Sequence, residues 1–203
     1  MAVYFYDVEM PTTHFLYLHG FRSSPLSTKA KKMAAIVAHD YPAVTWWCPQ
    51  LPPSPKQAMQ DIMRGIGHWP SNMAVVGSSL GGFYATWVAE QKGCRAVLLN
   101  PAVEPARDLK AYIGEQSSWH DASEKFFFDA AFIDELRSLQ AGPLKVPQNY
   151  LTIIAKGDEV LDWREMSRRY AGTDTRLLEG GDHALSDFDA HLPAILDFLD
   201  LEA

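Results

Sequence analysis

Short apolar runs alternate with longer amphipathic stretches along most of the chain, which is the periodicity of strands interleaved with helices. His14-Phe15-Leu16-Tyr17-Leu18 is an apolar run that stops at His19-Gly20-Phe21. After a Ser- and Pro-containing loop, residues 28–39 read as a helix with Ala30, Met33, Ala34 and Val37 on one side. Val44-Thr45-Trp46-Trp47-Cys48 predicts a strand closed by Pro49. The rigid connector Leu51-Pro52-Pro53-Ser54-Pro55 ends on a proline suited to open the helix through Met63 and Ile66. Met73-Ala74-Val75-Val76 is the next strand, followed after a short turn by a helix from Gly82 through Ala89. Arg95-Ala96-Val97-Leu98-Leu99 is another, stopped by Asn100-Pro101.

From about residue 104 to 146 the period blurs. This stretch holds Trp119, the run Phe126-Phe127-Phe128 and a helical pattern through Phe132, Ile133, Leu136 and Leu139, with no evident strand. It reads as a helical cap inserted between two strands. The alternation resumes with Tyr150-Leu151-Thr152-Ile153-Ile154-Ala155, a helix over 162–170, a short strand near 175–178 and a last helix from about 185 to 201. Continuously apolar strands separated by helices predict a mostly parallel sheet covered on both faces, an α/β fold. At 203 residues the chain suits one domain, 1–203, carrying that insertion.

Composition narrows the classes. With 47% hydrophobic and 21% charged residues there is material for a substantial core rather than a disordered chain. The formal charge of −7 and the lack of a basic tract argue against nucleic-acid binding. Cys48 and Cys94 form no metal-like cluster, and buried free thiols are the expectation. No basic leader precedes an apolar stretch, and no apolar run approaches the ~20 residues that span a bilayer. A reducing cytoplasm is the expected setting.

In a parallel sheet the chemistry gathers beyond the carboxyl ends of the strands, so the polar residues there matter most. Gly77-Ser78-Ser79-Leu80-Gly81 is a G-x-S-x-G pentapeptide between a predicted strand and a predicted helix, the context of a nucleophile elbow. Asp158 follows the Ile153-Ile154 strand, and His183 follows Leu177-Leu178 in Gly180-Gly181-Asp182-His183. The order Ser, Asp, His is that of the α/β-hydrolase triad. A serine hydroxyl needs a base, and imidazole is one near neutral pH. The imidazole in turn needs a carboxylate to hold its tautomer and stabilise its cation. Ser79, His183 and Asp158 are the expected nucleophile, base and acid.

Rivals for the acid are Asp162, Glu159 and Asp182; Asp158 is preferred because it lies in the first turn beyond its strand. His14, His39, His68, His120 and His191 fall outside such strand-end loops and read as surface or packing residues. His19-Gly20-Phe21 ends the first core strand, where an oxyanion loop belongs, with the Phe21 and Leu80 N–H groups as its donors. His19 reads as positioning that loop, Gly20 as permitting close approach, and Arg22 as facing the mouth of the site, either solvated or anion-binding. Neither H-E-x-x-H nor paired-cysteine spacing occurs, the Walker lysine is missing, and Ser79 stands where a dinucleotide fingerprint needs glycine. No metal and no cofactor are expected.

Several segments occur together: Tyr17-Leu18-His19-Gly20-Phe21-Arg22-Ser23-Ser24-Pro25, Cys48-Pro49-Gln50-Leu51-Pro52-Pro53, Gly77 through Trp87, Asn100-Pro101-Ala102-Val103, Gly157 through Asp162, and Gly180-Gly181-Asp182-His183. In combination, over about residues 14–200, they resemble the YqiA-like esterases, the small bacterial UPF0227 group of α/β-hydrolases. The resemblance implies an α/β-hydrolase fold and activity on short activated esters and acyl-CoA thioesters. It carries over to Ser79, Asp158, His183, Phe21 and Leu80. About a dozen N-terminal residues depart from the pattern, and the alternation of Val3, Phe5 and Asp7 there suggests an added edge strand. The expected partner is a small-molecule ester or acyl-CoA thioester, with no nucleic acid and no membrane span. Two alternatives stay open: an acyltransferase or C–C hydrolase using the same triad, and a non-catalytic ligand sensor on a hydrolase fold.

Overall fold

A computed structural model describes residues 10–119 and 121–202. His120 and the suggested edge strand around Val3, Phe5 and Asp7 lie outside the described residues. The first half alternates strand and helix: β1 (His14–Leu18), α1 (Thr28–Asp40), β2 (Thr45–Trp47), α2 (Pro55–Gly65), β3 (Met73–Ser78), α3 (Leu80–Lys92) and β4 (Arg95–Leu99). Then come α4 (Pro105–Asp108), β5 (Gly114–Ser117), β6 (Lys125–Phe128) and α5 (Ala131–Ser138). The chain closes with β7 (Tyr150–Ala155), α6 (Trp163–Arg169), β8 (Asp174–Leu178) and α7 (Phe188–Leu199).

Six strands form one sheet in the order β2-β1-β3-β4-β7-β8, every neighbouring pair parallel. Period-two alternation splits its side chains between two cores. Phe15, Tyr17, Ala74, Val76, Val97 and Leu99 pack toward α1 and α7. Leu16, Leu18, Val75, Ala96 and Leu98 pack toward α2, α3 and α5 on the other face. The chain runs outward from β1 to β2, then returns to place β3 on the opposite side of β1. That reversal leaves a crevice at the carboxyl ends of β1 and β3, the usual ligand position in an open α/β sheet. His19 and Ser79 follow those two strands directly.

The stretch expected to be all helix contains a two-stranded antiparallel ribbon, with Gly114 paired to Phe128 and Ser117 to Lys125. The cue is hidden inside the triple phenylalanine: Phe128 is buried, Phe127 is 62% exposed and Phe126 lies between these extremes. Four-residue strands are too short to show a period beside the strong helical pattern of α5. The last helix starts at Phe188 rather than near residue 185, because Leu185 takes φ 49°, outside helical space.

Candidate active site

β3 delivers Ser79 into a turn at φ 57°, ψ −121°, and α3 begins at the next residue. A non-glycine residue held there costs on the order of 1–3 kcal/mol and persists only where its surroundings enforce it. Here they do. The Ser79 N–H donates to the Leu99 carbonyl at 3.0 Å, and the Ser79 carbonyl accepts from Gly82 at 2.9 Å and Ala102 at 3.0 Å. A Cβ on Gly77 would meet the Gly81 carbonyl oxygen at 2.1 Å, and one on Gly81 the Leu18 carbonyl oxygen at 2.0 Å. The flanking glycines are thus demanded by backbone crossings on both sides of the serine.

Strain of this kind collects around one end of the sheet. Among the described residues, five non-glycine positions have positive φ. Four of them, Arg22, Ser79, Asn100 and Leu185, lie in the segments following β1, β3, β4 and β8.

The turns after β7 and β8 bring the other two predicted residues to Ser79. Ser79 Oγ lies 3.0 Å from His183 Nε2, and His183 Nδ1 lies 2.8 Å from Asp158 Oδ2. A carboxylate can only accept, so Nδ1 carries the proton, and Nε2 is left to accept the serine hydroxyl. The Asp158 side chain is fully buried. Its other oxygen accepts the Val160 and Leu161 N–H groups at 2.8 Å each, which offsets the desolvation of the charge.

The rival acids are engaged elsewhere. Glu159 accepts the main-chain N–H of His183 at 3.0 Å. Asp162 caps α6 through the N–H of Arg164. Asp182 accepts from Ser186, hydrogen bonding that holds its carboxyl below the ordinary range. His14 packs at a tilt against Trp69, while His39 and His191 sit beside Asp40 and Asp187.

His19 is 4% exposed. Its Nδ1 donates to the Gly20 carbonyl at 3.0 Å and its Nε2 accepts the Leu51 N–H at 3.2 Å, a consistent neutral tautomer that ties the loop after β1 to the proline-rich connector. Gly20 runs against the serine: a Cβ there would lie 3.2 Å from that of Ser79. Leu80 opens α3, so its N–H is among those with no intrahelical acceptor and sits at the positive end of the helix. Arg22 is not simply solvated. Its Nε donates to the Ser117 carbonyl at 2.7 Å, and its guanidinium lies 4.2 Å from the Trp119 ring centre.

Asn100 is the residue that sequence reasoning missed. It entered as the stop to a strand and as part of a recurring segment, with no role of its own, yet it is fully buried and bonded on both sides of its amide. Its Oδ1 accepts the Ala155 N–H at 2.8 Å, and its Nδ2 donates to the carbonyls of Asp182 at 2.9 Å and His183 at 3.2 Å. The available signal was an amide set directly on the end of the apolar run Ala96-Val97-Leu98-Leu99.

Two cavities meet at Phe21. One, of about 430 Å³, has an aromatic and apolar side formed by Phe21, Leu51, Leu80, Tyr84, Phe126 and Phe128, with Arg22, Glu124 and Lys125 also in its lining. The other, of about 580 Å³, holds Ser79 and His183 with a polar wall that includes Ser27, Lys29 and Ser186. Burial pulls the Lys29 ammonium below its usual range, against the opposing pull of Asp182, and its Nζ donates to the Ala184 carbonyl. Among the described residues, no group of three or more His, Cys, Asp or Glu side chains is placed to hold a metal ion. No helix there is long and apolar enough to cross a membrane.

Comparison with known proteins gives this arrangement a setting. The chain is 24% identical over 192 residues to a UPF0227 protein of Shewanella oneidensis, covering 90% of this chain and 97% of the relative. Among solved structures it is similar to mouse alpha/beta hydrolase domain-containing protein 10, with TM-score 0.71, 17% identity and coverage of 93% and 90%. It is also similar to a monoacylglycerol lipase from Paleococcus ferrophilus, with TM-score 0.66, 17% identity and coverage of 93% and 95%. These likenesses establish the α/β-hydrolase fold. The family described as "Uncharacterised protein family (UPF0227)" matches residues 14–200, and the chain is therefore a member of UPF0227 built on the α/β-hydrolase fold.

Proposed function

We propose that this chain is a serine hydrolase that cleaves carboxylic esters or acyl-CoA thioesters through an acyl-enzyme. The observation that carries the reading is the hydrogen-bonded chain Ser79 Oγ to His183 Nε2 at 3.0 Å and His183 Nδ1 to Asp158 Oδ2 at 2.8 Å. In the first half-reaction Ser79 Oγ attacks the acyl carbonyl carbon as Nε2 takes its proton. The resulting imidazolium is stabilised by Asp158, and the oxyanion is received by the Phe21 and Leu80 N–H groups. His183 then protonates the departing alcohol or thiol, leaving the acyl group on Ser79. Water attacks this ester by the same route, releases the acid and restores the hydroxyl.

The two cavities divide the substrate between them. The leaving atom must be within reach of His183, so the leaving group occupies the polar cavity that Ser79 and His183 share. The acyl group then extends past the oxyanion donors into the aromatic cavity, whose rings suit an apolar chain.

Replacing Ser79 with alanine tests the reading. Ser79→Ala retains the far-UV circular dichroism of the unsubstituted chain and lowers p-nitrophenyl acetate turnover by about 10³-fold or more. Undiminished turnover would sink the assignment. A fluorophosphonate probe labels the unsubstituted chain and not the variant; absence of label on both would point to a non-catalytic scaffold.

A further inference from the structure

The loop after β1 is held from two sides, and the second side is unexpected. On the core side His19 anchors it to Leu51. On the other side Arg22 reaches the β5–β6 ribbon and the loop that joins its strands. The Arg22 Nε and Nη2 donate to the Ser117 carbonyl at 2.7 Å and to its hydroxyl at 3.3 Å. The Arg22 carbonyl accepts the Trp119 N–H at 2.8 Å, while the guanidinium lies over that residue's ring. Arg22 itself is in the left-handed region at φ 61°, so the chain turns sharply just after Phe21. The ring of Phe21 is gripped in edge-on contacts by Tyr112, Phe126 and Phe128 at 5.5, 5.9 and 5.2 Å. All three belong to the same β4-to-β7 segment.

We propose that Arg22 and Trp119 form a brace through which the β5–β6 ribbon fixes the main chain at Phe21, so that the ribbon positions the oxyanion donor as well as walling the acyl cavity. This rests on the hydrolase reading above. Arg22 and Trp119 are positioning residues: they act through the Phe21 N–H. The physical basis is preorganisation. An oxyanion donor stabilises the developing charge only when it is already aimed there, and a donor on a strained turn stays aimed only while the turn is clamped. Arg22 suits a clamp because its planar fork binds and stacks at once, which a lysine cannot reproduce.

A comparison of acyl lengths separates this from a ribbon that merely shapes the pocket. An acetyl group is too short to draw on the far aromatic walls, whereas an octanoyl group fills them. Arg22→Ala, Arg22→Lys and Trp119→Ala are assayed with p-nitrophenyl acetate and octanoate, after thermal melts show folded protein. The brace predicts that kcat falls by about 10-fold or more for both esters alike in Arg22→Ala and Trp119→Ala, with KM for acetate little changed. The drop is bounded by the factor of about 10² to 10³ typical of losing one oxyanion donor. Arg22→Lys restores little. Trp119 is 69% exposed, so its truncation leaves the fold standing where Arg22→Ala destabilises it. Loss confined to octanoate, or unchanged kcat for acetate in Trp119→Ala, would overturn the brace. Lack of Ser79-dependent turnover in the unsubstituted chain overturns the hydrolase reading, and the brace with it.

Discussion

At Asn100 one side chain joins three strand ends: its own β4, the end of β7 through Ala155, and the loop after β8 through Asp182 and His183. The Asp158 and His183 turns are thereby held to a common fixed point inside the sheet. Asn100→Ala leaves the Ala155 N–H and the His183 carbonyl without these partners, while the Asp182 carbonyl keeps the Leu185 N–H; a stranded group costs roughly 1–3 kcal/mol without water. We expect it to lower the unfolding free energy by about 2 kcal/mol or more by urea titration. It also lowers kcat, because the His183 carbonyl loses its tie to β4 and only the Glu159 bond to the His183 N–H remains. Asn100→Asp is nearly isosteric yet offers no donor to those carbonyls, and it should be at least as damaging to kcat. Retention of full kcat in both would separate the amide from the site. The bonding of Asn100 was invisible in the sequence for a plain reason: an asparagine that ends a strand and one that bonds across three strands carry the same letter, and only the spatial neighbours differ. Ser79 was legible because its conformation demands glycines at set offsets, and those glycines are written beside it.

Elements were readable in proportion to their length and to the clarity of their period. β1, β4 and β7 are predominantly apolar runs bounded by breakers, and they occur where the pattern placed them. The β5–β6 ribbon was not legible, since four residues give two repeats at most and the neighbouring helix speaks louder. Its period makes a prediction at this scale. Phe128 is 1% exposed on one side of β6 and Phe127 62% exposed on the other. Phe128→Ala should cost about 3–5 kcal/mol in a denaturant titration. Phe127→Ala should stay within roughly 0.5 kcal/mol of the unsubstituted chain. Equal costs would contradict the strand.

Across the molecule, the two faces of the sheet carry separate cores, and the site lies at the rim where both are interrupted. Both cysteines are free, and burial pushes each thiol up to about 12. At pH 8 both are therefore protonated and poor nucleophiles. Iodoacetamide at that pH should alkylate the native chain slowly and leave ester turnover intact, and dithiothreitol should not move the melting temperature. Rapid inactivation by iodoacetamide would point to a thiol at the site instead of Ser79.

Local physics settled most of what the chain could declare by itself. Apolar strands and amphipathic helices dictate a parallel layered sheet, and backbone sterics dictate which residues may flank Ser79; both are encoded within a few residues of where they act. The resemblance in combined motifs likewise pointed to the family that the comparison shows. Tertiary structure alone brought the preferred carboxylate, Asp158, to His183, and decided what Asn100 joins and that Arg22 grips the ribbon while β5 and β6 form it. These depend on the meeting of loops separated by 25 residues in one case and 95 in another. Such meetings follow from how the whole sheet closes, and no local pattern records them.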